Sequence, residues 1–320
     1  WFYSTTGGAP WVSIGSSNSE TYDPGTLTAD RWYKRAVTSC GETKETSAVK
    51  VTVNPSVDAG SIGNAQTICY NGDPATLTST AAASDGDGSY IYEWFYSTTG
   101  GAPWVAIGSS NSETYDPDTL TADRWYKRAV TSCGETKETS AVKVTISLLP
   151  TVSAVLSSER CGSGTLSLQA FSSSDSIEWF SSSLGGSSIG FGSPWLTSVL
   201  SSDSIFYAEA VNSDGCRSDI RTAVLAEIHA LPEVNLGNDT SICTNMNITF
   251  DALVGSSWLW SNGEDSRFIN VDSAATYDVV VTSSEGCIGY DTIVLSLDSL
   301  PIINLGRDTS ICSVANIVLD

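Results

Sequence analysis

A near-identical internal repeat constrains the fold of this chain more than any other feature of its sequence. The segment from Trp1 to Val53 returns as the segment from Trp94 to Ile146. The two copies differ at three positions, which are Ser13, Gly25 and Val53 in the first copy. Repetition at the length of a small domain is typical of an array of similar modules, each contacting mainly its neighbours.

Proline-containing junctions divide the chain further. The pattern LPEVNLGNDTSIC, which begins at Leu231, returns as LPIINLGRDTSIC from Leu300, and weaker versions begin at Asn54 and Leu149. Proline suits a short, stiff connection because it fixes φ and cannot continue a strand ladder. The sequence therefore predicts three complete modules flanked by parts of two others, a C-terminal part and a starting part, and we expect the polypeptide to continue in both directions. The five predicted segments are 1–53, 54–148, 149–230, 231–299 and 300–320.

The local pattern within these segments predicts β-strands. Short alternating apolar runs are separated by Gly, Ser, Thr, Asn and Asp clusters every ~8–12 residues, as in all-β sandwiches. In the 54–148 segment a long aromatic strand, YIYEWFY from Tyr90, places Trp94 on the core side. No segment has a sustained helical period with caps. The prediction is an all-β chain of tandem sandwich modules that stack into an elongated rod.

Eight cysteines occupy corresponding positions in these segments. In each complete module one cysteine precedes the first core strand and another follows the penultimate strand. A metal site is the competing interpretation, but the sequence has no CxxC pair and its only histidine, His229, has no neighbouring ligand. Disulfides in turn indicate an oxidising, extracytoplasmic location. The predicted pairs are Cys69–Cys133, Cys161–Cys216 and Cys243–Cys287, with Cys40 and Cys312 expected to pair outside this sequence.

Charge and composition limit the classes of partner. The net charge is −21, from 15 basic and 36 acidic residues. Such a surface repels nucleic acid and anionic membranes, which basic patches are needed to hold, and the sequence has no transmembrane run. The partners that we expect are neighbouring modules of the same chain, with no nucleic acid and no direct membrane insertion.

The sequence contains few residues that could support catalysis. The single histidine, His229, lies at the end of a last strand beside a junction, where a structural role is the ordinary one. The cysteines are committed to disulfides, and no GxSxG elbow is present. We therefore predict no catalytic residue and a protein that is not an enzyme.

Two groups of residues are candidates for ligand binding. The loop SDGDGS could present the carboxylates of Asp85 and Asp87 to calcium, although a Gly-rich β-turn explains the same pattern without metal. No other cofactor is expected. Flat aromatic side chains can stack on sugars, but core packing is their default in strands. The tryptophans whose pattern is least clearly internal are Trp104, Trp125 and Trp195.

The order of cysteine, Trp strand, Tyr strand and turn cysteine resembles a known type of repeat. With the junction NLGNDTSIC and the core WLWSNGEDSRFINVDSAATYDVVVTSSEGC, the chain is similar to the immunoglobulin-like or PKD-like repeats of Bacteroidetes surface proteins. Those repeats are abundant in giant gliding-motility adhesins exported by the type IX secretion system. The resemblance implies an immunoglobulin-like fold and a structural repeat region of a cell-surface adhesin or filament, giving reach and stiffness for attachment or gliding.

The resemblance leaves two alternatives open. One is a carbohydrate-binding module array, or the stalk of a secreted polysaccharide-degrading enzyme. The other is a sheath in which modules pair laterally through exposed edge strands. Surface polysaccharide or other filament subunits would then be the partners. The chain departs from antibody domains, because Cys133 and Cys216 lie at the turn after the Tyr strand rather than within it.

The same resemblance implies O-glycosylation at Asp, then Ser or Thr, then a small apolar residue. Six positions match this pattern, and the alternative is that Asp-Ser and Asp-Thr pairs simply start strands in an acidic, Ser-rich chain. Two matches to the eukaryotic N-glycosylation pattern also occur, at Asn238 and Asn247. The candidate O-glycosylation residues are Thr119, Ser176, Ser204, Ser273, Thr292 and Ser299.

Overall fold

The computed structural model describes residues 1–15, 18–108, 110–173, 176–311, 313 and 316–318. The chain forms two compact units, Trp1–Leu149 and Pro150–Asp320. Strands, turns and loops make up the described residues, and none of these residues is helical. The all-β prediction is therefore confirmed.

The first copy of the repeat forms one main sheet and a hairpin. The four antiparallel strands lie in the order Val12–Ser13, Phe2–Ser4, Arg31–Lys34 and Val49–Val51. The hairpin pairs Ala36–Ser39 with Glu42–Glu45.

The second copy belongs to a sandwich of two sheets. Its strand Gln66–Cys69 runs parallel to the last strand, and all other pairs are antiparallel. Between the sheets lies a core that contains Leu77, Trp94 and Tyr126. The large sheet has the order Val105–Ile107, Ile91–Ser97, Arg124–Ser132, Val142–Ser147 and Gln66–Cys69. A further strand, Glu135–Glu138, pairs with Arg124–Ser132. The small sheet pairs Ser61–Ile62 with Ser79–Ala81.

The second unit contains two more sandwiches. In the first of these, Ser158–Cys161 runs parallel to the last strand, Thr222–His229. Its two sheets enclose a core around Trp179 and Leu168. The five-stranded sheet has the order Ser158–Cys161, Thr222–His229, Ser204–Val211, Ser176–Phe180 and Gly190–Phe191, and the three-stranded sheet has the order Val152–Leu156, Ser167–Ser172 and Trp195–Leu196.

The last sandwich repeats this plan in fewer residues. Its first strand again runs parallel to its last strand, and its core surrounds Trp260 and Tyr277. The sheets are Thr240–Cys243, Ile288–Asp298, Ala275–Thr282 and Ser257–Trp260 in that order, and Ile248–Asp251 with Phe268–Val271.

A buried tryptophan marks the same position in each sandwich. Trp94, Trp179 and Trp260 are all fully enclosed, which confirms that the period-2 pattern places Trp94 in the core. Each indole N–H donates to a carbonyl oxygen of a nearby loop, at 2.9, 2.7 and 2.8 Å respectively. A buried indole needs such a partner, so these bonds fix the loop that follows each Trp strand.

Candidate functional site: the disulfide-linked junction

A disulfide joins the two sandwiches of the second unit. It links Cys161, at the end of strand Ser158–Cys161, to Cys287, in the turn before strand Ile288–Asp298. The two Cα atoms are 5.5 Å apart, and the bond spans 126 residues of sequence. The first strand of one module is therefore bonded to the last turn of the module that follows it.

The predicted pairing within modules is wrong, and the parallel first strand explains why. Cys161 lies opposite His229 at the far end of strand Thr222–His229, whereas Cys216 precedes that strand. The two ends of this strand are about 23 Å apart at ~3.3 Å per residue, and a disulfide needs Cα atoms within about 7 Å. Cys161–Cys216 therefore cannot form without unfolding the module.

The same geometry overturns the other two predicted pairs. Cys243 lies opposite Asp298, while Cys287 immediately precedes Ile288 at the other end of that strand. Cys133 likewise follows strand Arg124–Ser132, far from Cys69. Cys69 and Cys216 are disulfide-bonded, whereas Cys40, Cys133 and Cys243 are exposed free thiols. Cys312 lies outside the described residues.

An acidic cluster with one histidine surrounds this junction. His229 Nε2 lies 3.1 Å from Glu159 Oε2, one strand across. The hydrogen bond to Glu159 raises the pKa of His229 above its usual value of 6.5, and the charges of Glu227 and Glu285 act in the same direction. Glu285 belongs to the turn that carries Cys287. Protonated His229 thus offsets carboxylates contributed from both modules.

The linker between the modules packs closely against both of them. A Cβ atom on Gly289 would overlap the carbonyl oxygen of Pro232, and one on Gly162 would touch Leu231 at 3.4 Å. A cleft of about 450 Å³ lies beside this contact and is lined by His229, Leu231, Pro232 and residues of two loops of the following module. Sequence reasoning treated Leu231-Pro232 only as a spacer and passed over Glu159. No local sequence pattern marks this junction, because it depends on the parallel pairing of the first strand, which places Cys161 at the exit end of its module.

The candidate calcium loop is engaged in bonds within the protein. The carboxylate of Asp87 accepts the Ser89 N–H and the Ser132 hydroxyl, both at 2.9 Å, and these bonds lower the pKa of Asp87. The carbonyl of Asp85 accepts the Tyr90 hydroxyl at 2.9 Å. In the part of the chain that the structure describes, no three His, Cys, Asp or Glu residues are grouped to hold a metal ion. Calcium binding at this loop stays a prediction.

The three candidate sugar-stacking tryptophans lie in different surroundings. Trp195 stacks on the core Trp179 at 5.3 Å between ring centroids, so it belongs to the interior packing of its module. Trp104 and Trp125 are half-buried on the sheet surface. The Lys127 ammonium lies 4.7 Å from the ring centroid of Trp104, and the Lys143 ammonium lies 4.9 Å from that of Trp125. A lysine of the same module therefore already covers a face of each ring.

The candidate O-glycosylation residues lie mostly on the surface. Ser204 is half-buried, and Asp175, which precedes Ser176, lies outside the described residues. The hydroxyl of Ser176 donates to the carbonyl of Val211 at 3.0 Å. The other exposed candidates besides Ser176 are Thr119, Ser273, Thr292 and Ser299.

Comparison with protein families assigns the middle of the chain to an immunoglobulin-like type. Residues 149–229 match the family described as "Ig-like domain CHU_C associated", which is a Bacteroidetes-type domain. Residues 1–55 and 58–148 match a family described as "Domain of unknown function (DUF8696)". No curated protein sequence matches the chain.

Solved structures align with the chain at low identity and low TM-score. The complex "Dpr2 Ig1-Ig2 in complex with DIP-Theta Ig1-Ig3" gives a TM-score of 0.37 at 13% identity, over 76% of this chain and 100% of that one. Insect hemolin gives 0.26 at 11% identity, over 77% and 78%. Drosophila N-cadherin EC1-4 gives 0.26 at 14% identity, over 84% and 83%. The all-β structure of the described residues and the family match at residues 149–229 define an all-β protein of tandem immunoglobulin-like domains. None of its described residues forms a helix of the length and apolarity needed to cross a membrane.

Proposed function

We propose that this chain is a force-bearing structural repeat region of a large extracellular adhesin or filament. In this role it is not catalytic; it gives reach and stiffness for surface attachment or gliding on a protein exported by the type IX system. The Bacteroidetes-type immunoglobulin-like match and the disulfides, which need an oxidising compartment, support this class of protein. The observation that carries the proposal is the covalent bond between neighbouring modules.

The bond gives the junction a specific mechanical property. A pulling force that enters the module at Leu149 passes along strand Ser158–Cys161, crosses the disulfide to Cys287 and leaves along Ile288–Asp298. The residues between the two cysteines are bypassed. The two cysteines are separated by 126 positions in the sequence, which corresponds to about 450 Å of contour length at ~3.6 Å per extended residue. Both sandwich cores are therefore protected from being pulled out, even when their hydrogen bonds break.

Single-molecule stretching of the complete chain tests this property. The reference is the chain with Cys69→Ser and Cys216→Ser, because Cys216 lies within the bypassed stretch and is itself disulfide-bonded. The chain is tethered at both ends without reductant, and the released contour length is compared between this reference and the same chain with Cys161→Ser and Cys287→Ser added. We expect the variant to release about 450 Å more, because the bypassed residues then bear force. The matched control is Cys243→Ser, which removes an exposed free thiol and should leave the released length unchanged. Equal release with and without the Cys161→Ser and Cys287→Ser substitutions would refute the mechanical role.

The free cysteines extend this proposal to further modules. Cys243 ends the first strand of its module, as Cys161 does, and Cys133 lies in the turn after a long central strand, as Cys287 does. We propose that each bonds the complementary cysteine of another such module. Two thiols then lose two protons and two electrons to a disulfide oxidant, which is reduced to two thiols. Incubating the chain with an isolated module that carries only a turn cysteine should give a mixed disulfide at Cys243, and its absence would oppose the extension.

O-glycosylation and calcium binding are further parts of the proposal, and sugar binding is its alternative. O-glycans on the exposed hydroxyls would add protease resistance, and calcium at Asp85 and Asp87 would stiffen its loop. Surface polysaccharide remains the alternative partner, at Trp104 or Trp125. A glycan array tests that alternative, since binding that is lost on Trp104→Ala or Trp125→Ala would favour a carbohydrate-binding array over a mechanical spacer.

A further inference from the structure

The single histidine of the sequence lies beside a cysteine of the disulfide between the modules. In the parallel pair of strands Ser158–Cys161 and Thr222–His229, His229 is the residue directly opposite Cys161. Glu159 precedes Cys161 by two residues, so these two side chains share one face of the sheet. The hydrogen bond of 3.1 Å between His229 Nε2 and Glu159 Oε2 places the imidazole on that same face. A sulfur, an imidazole and a carboxylate are therefore neighbours at one end of the sheet.

The burial of the last strand gives the same orientation independently. Val224 and Ala226 are buried in the core of the module, and Ile228 packs against that core. Glu227 and His229 alternate with these residues, so their side chains point away from the core. The imidazole thus lies on the outer face of the sheet, which is the face that meets the following module at the disulfide.

Three carboxylates act on this imidazole. Glu159 lies on the neighbouring strand, Glu227 on the same strand as His229, and Glu285 on the turn of the following module. The hydrogen bond to Glu159 is the largest cause of the raised pKa of His229. An imidazolium next to a cysteine favours the thiolate, which is the attacking species in thiol–disulfide exchange. The surroundings of Cys161 therefore suit the chemistry that forms its disulfide.

The corresponding cysteines of the other two sandwiches have different neighbours. Cys69 lies opposite Ser147, and Cys243 lies opposite Asp298. Neither a hydroxyl nor an ionised carboxylate exchanges a proton with a thiol near neutral pH as an imidazole does. Among these three strand-end positions, an imidazole is present only at Cys161.

We propose that His229 accepts the proton of the Cys161 thiol when the disulfide to Cys287 forms, and that Glu159 positions the imidazole. The Cys161 thiolate attacks one sulfur of a disulfide oxidant and releases the other sulfur as a thiolate, which takes the proton held by His229. The Cys287 thiolate then attacks the Cys161 sulfur and expels the second thiolate of the oxidant. Two thiols have then given two protons and two electrons to the oxidant, which is reduced to two thiols. The proposal rests on the observed disulfide and not on the mechanical role.

Alkylation of Cys161 in the complete chain tests the role of His229. The reference is the reduced chain with Cys287→Ser, and the reaction of each cysteine with iodoacetamide is followed by peptide mass spectrometry. At about pH 7 we expect the added substitution His229→Gln to slow the alkylation of Cys161 about three- to tenfold. At about pH 10 the two rates should agree, because the thiol then ionises without a neighbouring imidazole. The alkylation of Cys69 should be the same in both chains.

A variant of the carboxylate and a reoxidation measurement complete the test. Glu159→Gln keeps a hydrogen-bond acceptor but removes the charge, so it should slow the alkylation of Cys161 less than His229→Gln does. When the reduced wild-type chain is reoxidised by oxidised glutathione at about pH 7, His229→Gln should slow the appearance of the Cys161–Cys287 peptide pair by a similar factor.

Three results would overturn the proposal. One is an equal alkylation rate of Cys161 with and without His229→Gln at pH 7. Another is the same slowing at pH 7 and pH 10, which would indicate altered access to the thiol. The third is an equal slowing at Cys69, which would indicate a general change in the chain. The mechanical role is tested separately by stretching and does not depend on these rates.

Discussion

Replacing Arg128 with alanine should destabilise the sandwich of residues 54–148 strongly. Arg128 is fully buried, and this desolvation lowers the pKa of its guanidinium. None of its hydrogen-bond acceptors is a carboxylate. Its guanidinium donates to Ser79, Glu113 and Ala59. The variant leaves two buried carbonyls unpaired at about 1–3 kcal/mol each and opens a cavity. Relief of the arginine desolvation offsets part of this, so the net loss should be about 3–5 kcal/mol.

Hydrogen exchange measures this loss module by module, which bulk denaturation of a multi-module chain does not. The amide of Val130, at the buried centre of its strand, should exchange roughly 100- to 4000-fold faster in Arg128→Ala, since 1.4 kcal/mol corresponds to a factor of ten. The control is Lys137→Ala in the same module, which removes an exposed ion pair with Glu135 at 2.8 Å and should cost less than about 1 kcal/mol. Similar effects of the two substitutions would refute the assignment of Arg128 as the polar centre of the core.

Three further predictions concern the junction and the surface. The pKa of His229 is raised, so the stabilisation of the junction by protonated His229 is complete below pH 6.5 and is lost as the pH rises through the raised pKa. The thermal unfolding temperature of the His229→Gln variant should lack this pH dependence. The same pH profile in the variant and the wild type would contradict this prediction. Gly289→Ala places a Cβ against the Pro232 carbonyl and should cost about 1–3 kcal/mol by urea unfolding, whereas Gly101→Ala, with open space around it, should cost much less. Intact-mass measurement of the native protein should show hexose-containing additions, and bare hydroxyls at all six candidate residues would oppose glycosylation. The candidate residues are Thr119, Ser176, Ser204, Ser273, Thr292 and Ser299.

The fold class and the core positions followed from the sequence because they depend on local periodicity. Alternation along the Trp strand places Trp94 inside, and the structure buries its counterparts Trp179 and Trp260 in the same way. The burial of Trp195 could not be predicted in this way, because strand Trp195–Leu196 is too short to show an alternating pattern. In the structure Trp195 packs against Trp179.

The disulfide pairing did not follow, because it depends on which strands are neighbours. The cysteine order within a module is compatible with an internal bond. The parallel alignment of Ser158–Cys161 with Thr222–His229 sends Cys161 to the exit end of its module, and nothing local in the sequence encodes that alignment.

The disulfide map of the oxidised chain tests the central claim most directly. Free thiols are blocked under native, non-reducing conditions, the chain is digested, and cross-linked peptides are identified by mass spectrometry. The account predicts a peptide pair that joins Cys161 to Cys287, with Cys133 and Cys243 carrying the blocking group. Peptide pairs that join Cys161 to Cys216 and Cys243 to Cys287 would contradict it, because each module would then be closed on itself and no covalent path would connect one to the next.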